Sequence, residues 1–211
     1  MTQTYTLSPS TLNLMQDCPR CFYLQIVKGI YRPRGIMSGI VMKMDSIIKK
    51  YFDKYRELGK LPPIIEKQVK GKLPKDMPKT LYYKENGKIT IVGKLDEYLE
   101  LEDGSIVPFD HKTKSTPPIA THRAHQLQMD VYAYLVKMNN YKTTNKSYLA
   151  YYYPDDCDIH NGLDFHCKVV EVPTSIEKAK EHIKKAIEIL ELEEPPNPSK
   201  ECEYCHWAKG V

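Results

Sequence analysis

The chain has 211 residues, with 31 Lys and Arg against 27 Asp and Glu for a net charge of +4, and 41% of it is hydrophobic. That length supplies one sizeable core, so a single domain over residues 1–211 with appended elements is expected rather than two independent cores. The positive surplus permits a polyanionic partner without requiring one, and with no run of about 18 apolar residues and no basic or apolar leader in Met1-Thr2-Gln3-Thr4-Tyr5, a soluble, cytoplasmic protein without membrane association is expected.

The segment Leu7-Ser8-Pro9-Ser10-Thr11-Leu12 predicts a helix start, with Ser8 placed to accept an orphan backbone N–H and Pro9 suited to the first helical position; the helix runs into Cys18. A basic, Pro-containing stretch from Lys28 to Arg34 leads to a second helix, residues 38–55, whose apolar positions Ile40, Met44, Ile47, Ile48 and Phe52 recur at helical spacing. Lys60-Leu61-Pro62-Pro63 ends it. Three strands are predicted next, over residues 81–85, 88–101 and 106–113. Asn86-Gly87 and Asp103-Gly104 separate them and supply the positive φ angles of tight hairpins, giving an antiparallel meander.

A third long helix is expected over residues 125–138, with Leu127, Val131, Tyr134, Leu135 and Met138 as its apolar stripe. Strands follow at 146–153 and 165–172. Thr174-Ser175-Ile176-Glu177 reads as a capping box, opening a helix that keeps Ile176, Ala179, Ile183, Ala186, Ile187 and Leu190 on one face until Pro195-Pro196 stops it.

The second hairpin carries the chemistry. With its turn at Asp103-Gly104, Asp96 and Asp110 fall within about one residue of facing each other across the strands. Two carboxylates so close repel unless a cation lies between them. Period-two alternation puts Lys112 on the face of Asp110 and points His111 away, while the His111 carbonyl can still face a metal. Hard oxygen ligands suit Mg²⁺ or Mn²⁺, and Lys112 is placed to act on an attacking water or on the charge that develops at phosphorus. A bare D…DxK pattern is equally an ordinary solvated ion cluster on a sheet edge. Gln128 and Tyr132, spaced i and i+4, lie on one face of the following helix and can reach the same edge.

Six cysteines in a reducing compartment are poor disulfide formers. Four of them form two Cys-x-x-Cys pairs, Cys18/Cys21 and Cys202/Cys205, at opposite ends of the chain, a spacing that favours a metal. Four thiolates satisfy either Zn²⁺ or a [4Fe–4S] cluster, and spacing alone favours zinc. Cys157 and Cys167 lack spaced partners. Phe22 and Trp207, next to the thiols, are expected to shield the centre from water. Basic and aromatic residues interleave at Tyr31-Arg32-Pro33-Arg34 and Lys112-Thr113-Lys114, where a single DNA strand can be lined by phosphate neutralisation and base stacking, although tyrosines also cover sheets in many proteins.

These segments together resemble the RecB-like branch of the PD-(D/E)XK nucleases, and especially the CRISPR-associated RecB-like exonucleases that carry an iron–sulfur cluster. The resemblance rests on Leu7-Ser8-Pro9-Ser10 leading to Cys18-Pro19-Arg20-Cys21-Phe22-Tyr23-Leu24, Gly93-Lys94-Leu95-Asp96, Asp110-His111-Lys112-Thr113, Gln128-Met129-Asp130-Val131-Tyr132-Ala133 and the terminal Cys202-x-x-Cys205. It implies an α/β fold with an αβββαβ core and divalent-metal cleavage of DNA phosphodiesters. Within that core Asp96, Asp110 and the His111 carbonyl would hold the metal, Lys112 would activate, and Gln128 and Tyr132 would form the helix motif. It also implies an exonuclease or end-trimming enzyme, with a protein partner in a DNA-processing complex such as CRISPR adaptation or repair. A catalytically silent DNA-binding or complex-assembly module of the same fold is the alternative.

Three departures stand out. Leu95 replaces the Pro that names the superfamily. The helix before the sheet has Lys43 and Asp45 after Gly39 where a His or Glu ligand is usual, which makes Asp45 the substitute ligand. The cysteines divide two and two, where the resemblance leads one to expect one and three, so Cys21 takes the place of a C-terminal thiol. The resemblance tilts the thiol site towards iron–sulfur, with segments 1–34 and 195–211 as the two halves of a clasp.

Overall fold

The computed structural model describes residues 4–33 and 35–209; Arg34, part of the basic group read from the sequence, lies outside the described residues. A short strand β1 (Tyr5–Leu7) enters helix α1 (Pro9–Asp17), whose capping box is formed by Ser8 and Thr11: the Thr11 N–H donates to Ser8 Oγ at 3.3 Å and the Ser8 N–H to Thr11 Oγ1 at 2.8 Å. The chain does not stop at Cys18. That residue is extended and serves as both C-cap of α1 and N-cap of α2 (Pro19–Lys28), which Pro19 opens and Gly29, at φ 67°, closes.

Helix α3 (Gly39–Glu57) follows. Its apolar stripe is buried only in part, since Ile48 and Phe52 enter the core whereas Ile40 and Ile47 face solvent. The predicted 88–101 strand is two strands in two sheets. Strand β2 (Thr80–Lys84) pairs antiparallel with β3 (Ile89–Lys94), and β1 lies parallel on the other edge of β3, making a three-stranded sheet. The chain breaks at Leu95-Asp96 and continues as β4 (Glu97–Glu100) in a four-stranded sheet with β5 (Ile106–Thr113), β6 (Lys146–Pro154) and β7 (Phe165–Pro173), in the order β4-β5-β6-β7. The meander is therefore two separate hairpins. Gly104 has the expected positive φ, 77°, but Gly87 does not; there the Asn86 side chain shapes the turn by accepting from the backbone of Lys88 and Ile89 at 2.8 and 2.9 Å.

Strands β5 and β6 are parallel, and the crossover between them is α4 (Arg123–Met138), the expected third long helix. It is buried almost all round, from Leu127 through Met129, Val131, Tyr132 and Tyr134 to Val136. This is because both sheets, α1 and α5 (Ile176–Leu190) pack against it. The opposite face of the four-stranded sheet, with Leu99, Val107, Phe109, Ala150 and Tyr152, is covered by Ile48 and Phe52 of α3 and by Ile65, Val69 and Leu73. Helix α5 is capped by Ser175, which accepts from the Lys178 N–H at 3.2 Å; Thr174 takes no part, and Glu177 instead accepts from the Ser175 hydroxyl at 3.3 Å, so the expected capping box is a simple cap. A last helix, α6 (Glu203–Lys209), carries the C-terminal thiols. Among the described residues no helix is long and apolar enough to cross a membrane.

Candidate active site and thiol clasp

Pairing of Glu97 with Phe109 and of Tyr98 with Pro108 continues, one step further, to Asp96 opposite Asp110. Asp96 sits at the break between the sheets, and its Oδ2 accepts from the His111 backbone N–H at 3.2 Å. The hairpin count from Asp103-Gly104 is therefore met. Alternation along β5 sends Phe109 and His111 towards α3 and turns Asp110 and Lys112 towards α4, where Gln128 and Tyr132 face them.

Gln128 is fixed at both ends of its amide. Its Oε1 accepts from Lys112 Nζ at 2.9 Å, while its Nε2 donates to Asp110 Oδ1 at 3.2 Å and to the Tyr132 hydroxyl at 2.8 Å. Tyr132 in turn donates to the Lys94 carbonyl at 2.6 Å, tying α4 to the last residue of β3, two positions before Asp96. Gly93 permits this approach: a Cβ there would lie 2.5 Å from Leu135 Cδ1 and 3.2 Å from two carbons of the Tyr132 ring. Burial pushes the Tyr132 hydroxyl well above its usual range, which keeps it a donor.

Asp110 is buried and forms an ion pair with Lys112. Burial pushes its carboxyl up to about 6, against the pull of Lys112, and the nearby Asp96 carboxylate adds to the rise. Lys112 meets Asp110 at Oδ2, while Gln128 holds Oδ1, so the carboxylate is fixed at both oxygens. Together with Asp96 it offers the hard oxygen set that suits Mg²⁺ or Mn²⁺.

The His111 side chain points to the other face. Its ring packs edge-on to Phe52 with centroids 4.4 Å apart, Nδ1 lies 3.2 Å from the Tyr152 hydroxyl, and burial lowers the ring to about 4, so it is neutral. Asp45 is joined to the acid pair through a lysine. It is half exposed on α3 and ion-paired at 2.8 Å with Lys49, whose ammonium also lies 3.5 Å from Asp96 Oδ1. Lys49 was not singled out from the sequence, although its i,i+4 spacing from Asp45 was visible. Equally unread was Glu97, next to Asp96 in sequence but turned towards α3, where it is buried and held at 2.5 Å by Arg56.

Cys18, Cys21, Cys202 and Cys205 converge, with ligand atoms all within 4.8 Å of one another, and they form the one such metal-ligating group among the described residues. Each pair straddles a helix start: Cys18 and Cys202 precede α2 and α6, and Cys21 and Cys205 lie in the first turns, where orphan N–H groups and the helix dipole favour thiolate. Burial opposes ionisation of Cys18, yet backbone N–H donors of Cys21 and Ser199 bring it down to about 7; burial raises Cys21 and Cys205 instead. A buried four-thiol cluster of this kind needs a cation to ionise fully. Arg32 supplies part of that charge by donating to Cys202 Sγ at 3.5 Å while lying over the Tyr204 ring. Sulfur separations of 3.5, 3.6 and 3.8 Å are close to the ~3.8 Å between corners of a tetrahedron with metal–sulfur bonds of about 2.3 Å. The expected shield is different from the one read in sequence. Phe22 belongs to the main core and Trp207 is 72% exposed, whereas Leu14 packs on the thiols. Cys157 and Cys167 lie outside the cluster.

No curated protein matches the chain in sequence. Among solved structures, the crystal structure of SSO0001 aligns with 98% of this chain and 85% of its own at 16% identity, with a TM-score of 0.46, a likeness too slight to bear on function. The family model described as the PD-(D/E)XK nuclease superfamily matches residues 39–209, the stretch that holds Asp96, Asp110, Lys112, Gln128 and Tyr132, and the chain therefore belongs to the PD-(D/E)XK nuclease superfamily.

Proposed function

We propose that the protein is a divalent-metal-dependent deoxyribonuclease that hydrolyses DNA phosphodiester bonds at the Asp96–Asp110 edge. The observation that carries this reading is the opposition of these two carboxylates, with Lys112 held beside them by the Gln128 amide. Asp96, Asp110 and the His111 carbonyl are the groups that would hold Mg²⁺ or Mn²⁺, which supplies positive charge to the reacting phosphate. Lys112 presents a fixed ammonium to the same place, suited to the charge that develops in the transition state. Gln128 holds that ammonium in position and orients the Asp110 carboxylate. Tyr132 keeps Gln128 from turning and fixes the end of β3.

The exonuclease or end-trimming mode, the RecB-like kinship and membership of a CRISPR or repair complex rest on the sequence resemblance alone, and the single-strand preference on the interleaved basic and aromatic residues at 31–34 and 112–114. For the clasp, sulfur spacing supports one tetrahedral ion such as Zn²⁺, and the resemblance supports a [4Fe–4S] cluster. Elemental analysis and absorbance of anaerobically purified protein decide between them: broad absorbance near about 400 nm marks iron–sulfur. A second reading, a silent DNA-binding module, is favoured by one observation, the engagement of Asp45 by Lys49 in place of a third acidic ligand.

Cleavage of end-labelled single-stranded and duplex DNA with Mn²⁺ tests the proposal. The wild type should cut in a chelator-sensitive way, and Asp110→Ala or Lys112→Ala should lower the rate at least about 100-fold with the fold and clasp metal intact. Full activity in both variants would sink the site assignment. DNA binding without cleavage under any metal condition would leave the silent module.

A further inference from the structure

The acid pair is neutralised by two lysines from different elements. Lys112 of β5 faces Asp110, and Lys49 of α3 faces Asp96 at 3.5 Å. The second contact is the unusual one, because it sets a tethered positive charge on the more exposed carboxylate of a pair suited to a divalent cation. Lys49 is itself held by Asp45 at 2.8 Å, one helical turn back, in the favourable order of acid before base. Its side chain is 37% exposed and that of Asp96 22%, so the contact is neither lost in solvent nor locked in the core. One ammonium therefore bridges Asp45 and Asp96.

We infer that Lys49 is a built-in competitor for the metal: its ammonium occupies Asp96 and must be displaced for a divalent cation to bind, and Asp45 acts by holding Lys49 in place and not as a ligand. The inference rests on the proposed metal role of Asp96 and Asp110. It gives the site a raised metal threshold that belongs to α3, where the superfamily resemblance would place an attractive ligand.

The test is Mn²⁺ affinity, read by titration calorimetry and by loss of the free Mn²⁺ resonance signal. It uses full-length protein with its clasp loaded, because thiolates discriminate against Mn²⁺. Lys49→Met, which keeps the length of the stem, should tighten Mn²⁺ binding about fivefold, the upper end for a half-exposed ion pair that no longer has to open. Lys49→Gln should do the same, which guards against a packing defect peculiar to one variant. Tightening of less than twofold in both, or weaker binding, overturns the inference. Asp45→Asn alone loosens Lys49 and also removes a nearby negative charge, two opposing effects on affinity, so the double variant carries the distinction. In the Lys49→Met background Asp45→Asn should change the affinity by less than twofold, whereas a clear loss there makes Asp45 a ligand and refutes the tethering role. Asp110→Asn separates the two levels of the argument. If it binds Mn²⁺ as well as the wild type, the acid pair is not the metal site. If it loses binding while the Lys49 variants behave like the wild type, only the competitor role fails.

Discussion

Replacing Cys21 by Ser opens a cross-link that spans most of the chain. Cys21 and Cys202 are 181 residues apart in sequence and 3.6 Å apart at sulfur, so a metal that holds both removes the closure entropy of a very long loop from the unfolded ensemble. In the chain-entropy treatment a loop of that length is worth about 5 kcal/mol at 25 °C, against roughly 5–15 kcal/mol for the whole of a typical domain. With a urea slope of roughly 2–3 kcal/mol per molar, the midpoint of Cys21→Ser should fall by about 2 M. Clasp metal, counted by elemental analysis, should fall with it. A chelator control separates the lost link from lost packing, because stripped wild type and stripped Cys21→Ser should differ by only about 1 kcal/mol. Cys157→Ser, exposed and outside the cluster, should change neither metal nor midpoint. A Cys21→Ser protein with full metal and the wild-type midpoint would refute the ligand set, and a stripped wild type as stable as the loaded one would refute the closure argument.

Other perturbations read different parts of the structure. Because burial holds the Asp110 carboxyl up at about 6, above the usual value of about 3.9, the metal-free native state binds this proton more tightly than the unfolded chain. Its contribution is greatest below about pH 4 and is lost as pH rises through about 6; Asp110→Asn should lack this decline in a pH series of melting temperatures, and Mn²⁺ affinity of the wild type should climb over the same window. Gly93→Ala forces a methyl group against Leu135 and Tyr132, and should cost about 1–3 kcal/mol in denaturant melts while slowing cleavage through Tyr132 and Gln128; unaltered stability would mean that α4 can shift freely. Arg56→Met strands the buried Glu97 carboxylate, whose ionisation burial already disfavours. It should destabilise by about 3–5 kcal/mol, with much of the loss recovered in an Arg56→Met/Glu97→Gln double variant.

Local chemistry made the hairpin legible. Asp103-Gly104 marked a turn, and counting outward from it placed Asp96 opposite Asp110, one step beyond the last pair of the register, Glu97 with Phe109. Helical spacing likewise joined Gln128 to Tyr132. What escaped were features set by non-local contact. The three-residue β1 has no pattern of its own and exists because β3 offers it a parallel edge. Alternation runs on through residues 88–101 without marking the break at Leu95-Asp96, where the chain changes sheets. At Asn86-Gly87 the dipeptide was read correctly as a turn and wrongly as a glycine-driven one, because the asparagine amide does the work. Periodicity on α3 could not tell which half of its stripe would find a partner, and Pro19 with Gly29 were available as the bounds of α2 but were overshadowed by the Cys18/Cys21 pair.

The clasp also orders events in time. Cys18 and Cys21 leave the ribosome 181 or more residues ahead of the thiols that complete their site, a wait of on the order of 10–40 s at typical elongation speeds. During that interval α1 and α2 lack α4 and then α5, against which they later pack. A chain released early can therefore contain every strand and the whole acid pair and still be unlatched. Closure waits for Cys202 and Cys205, so the four thiols that stabilise the folded chain also tie its latching to the arrival of the second pair.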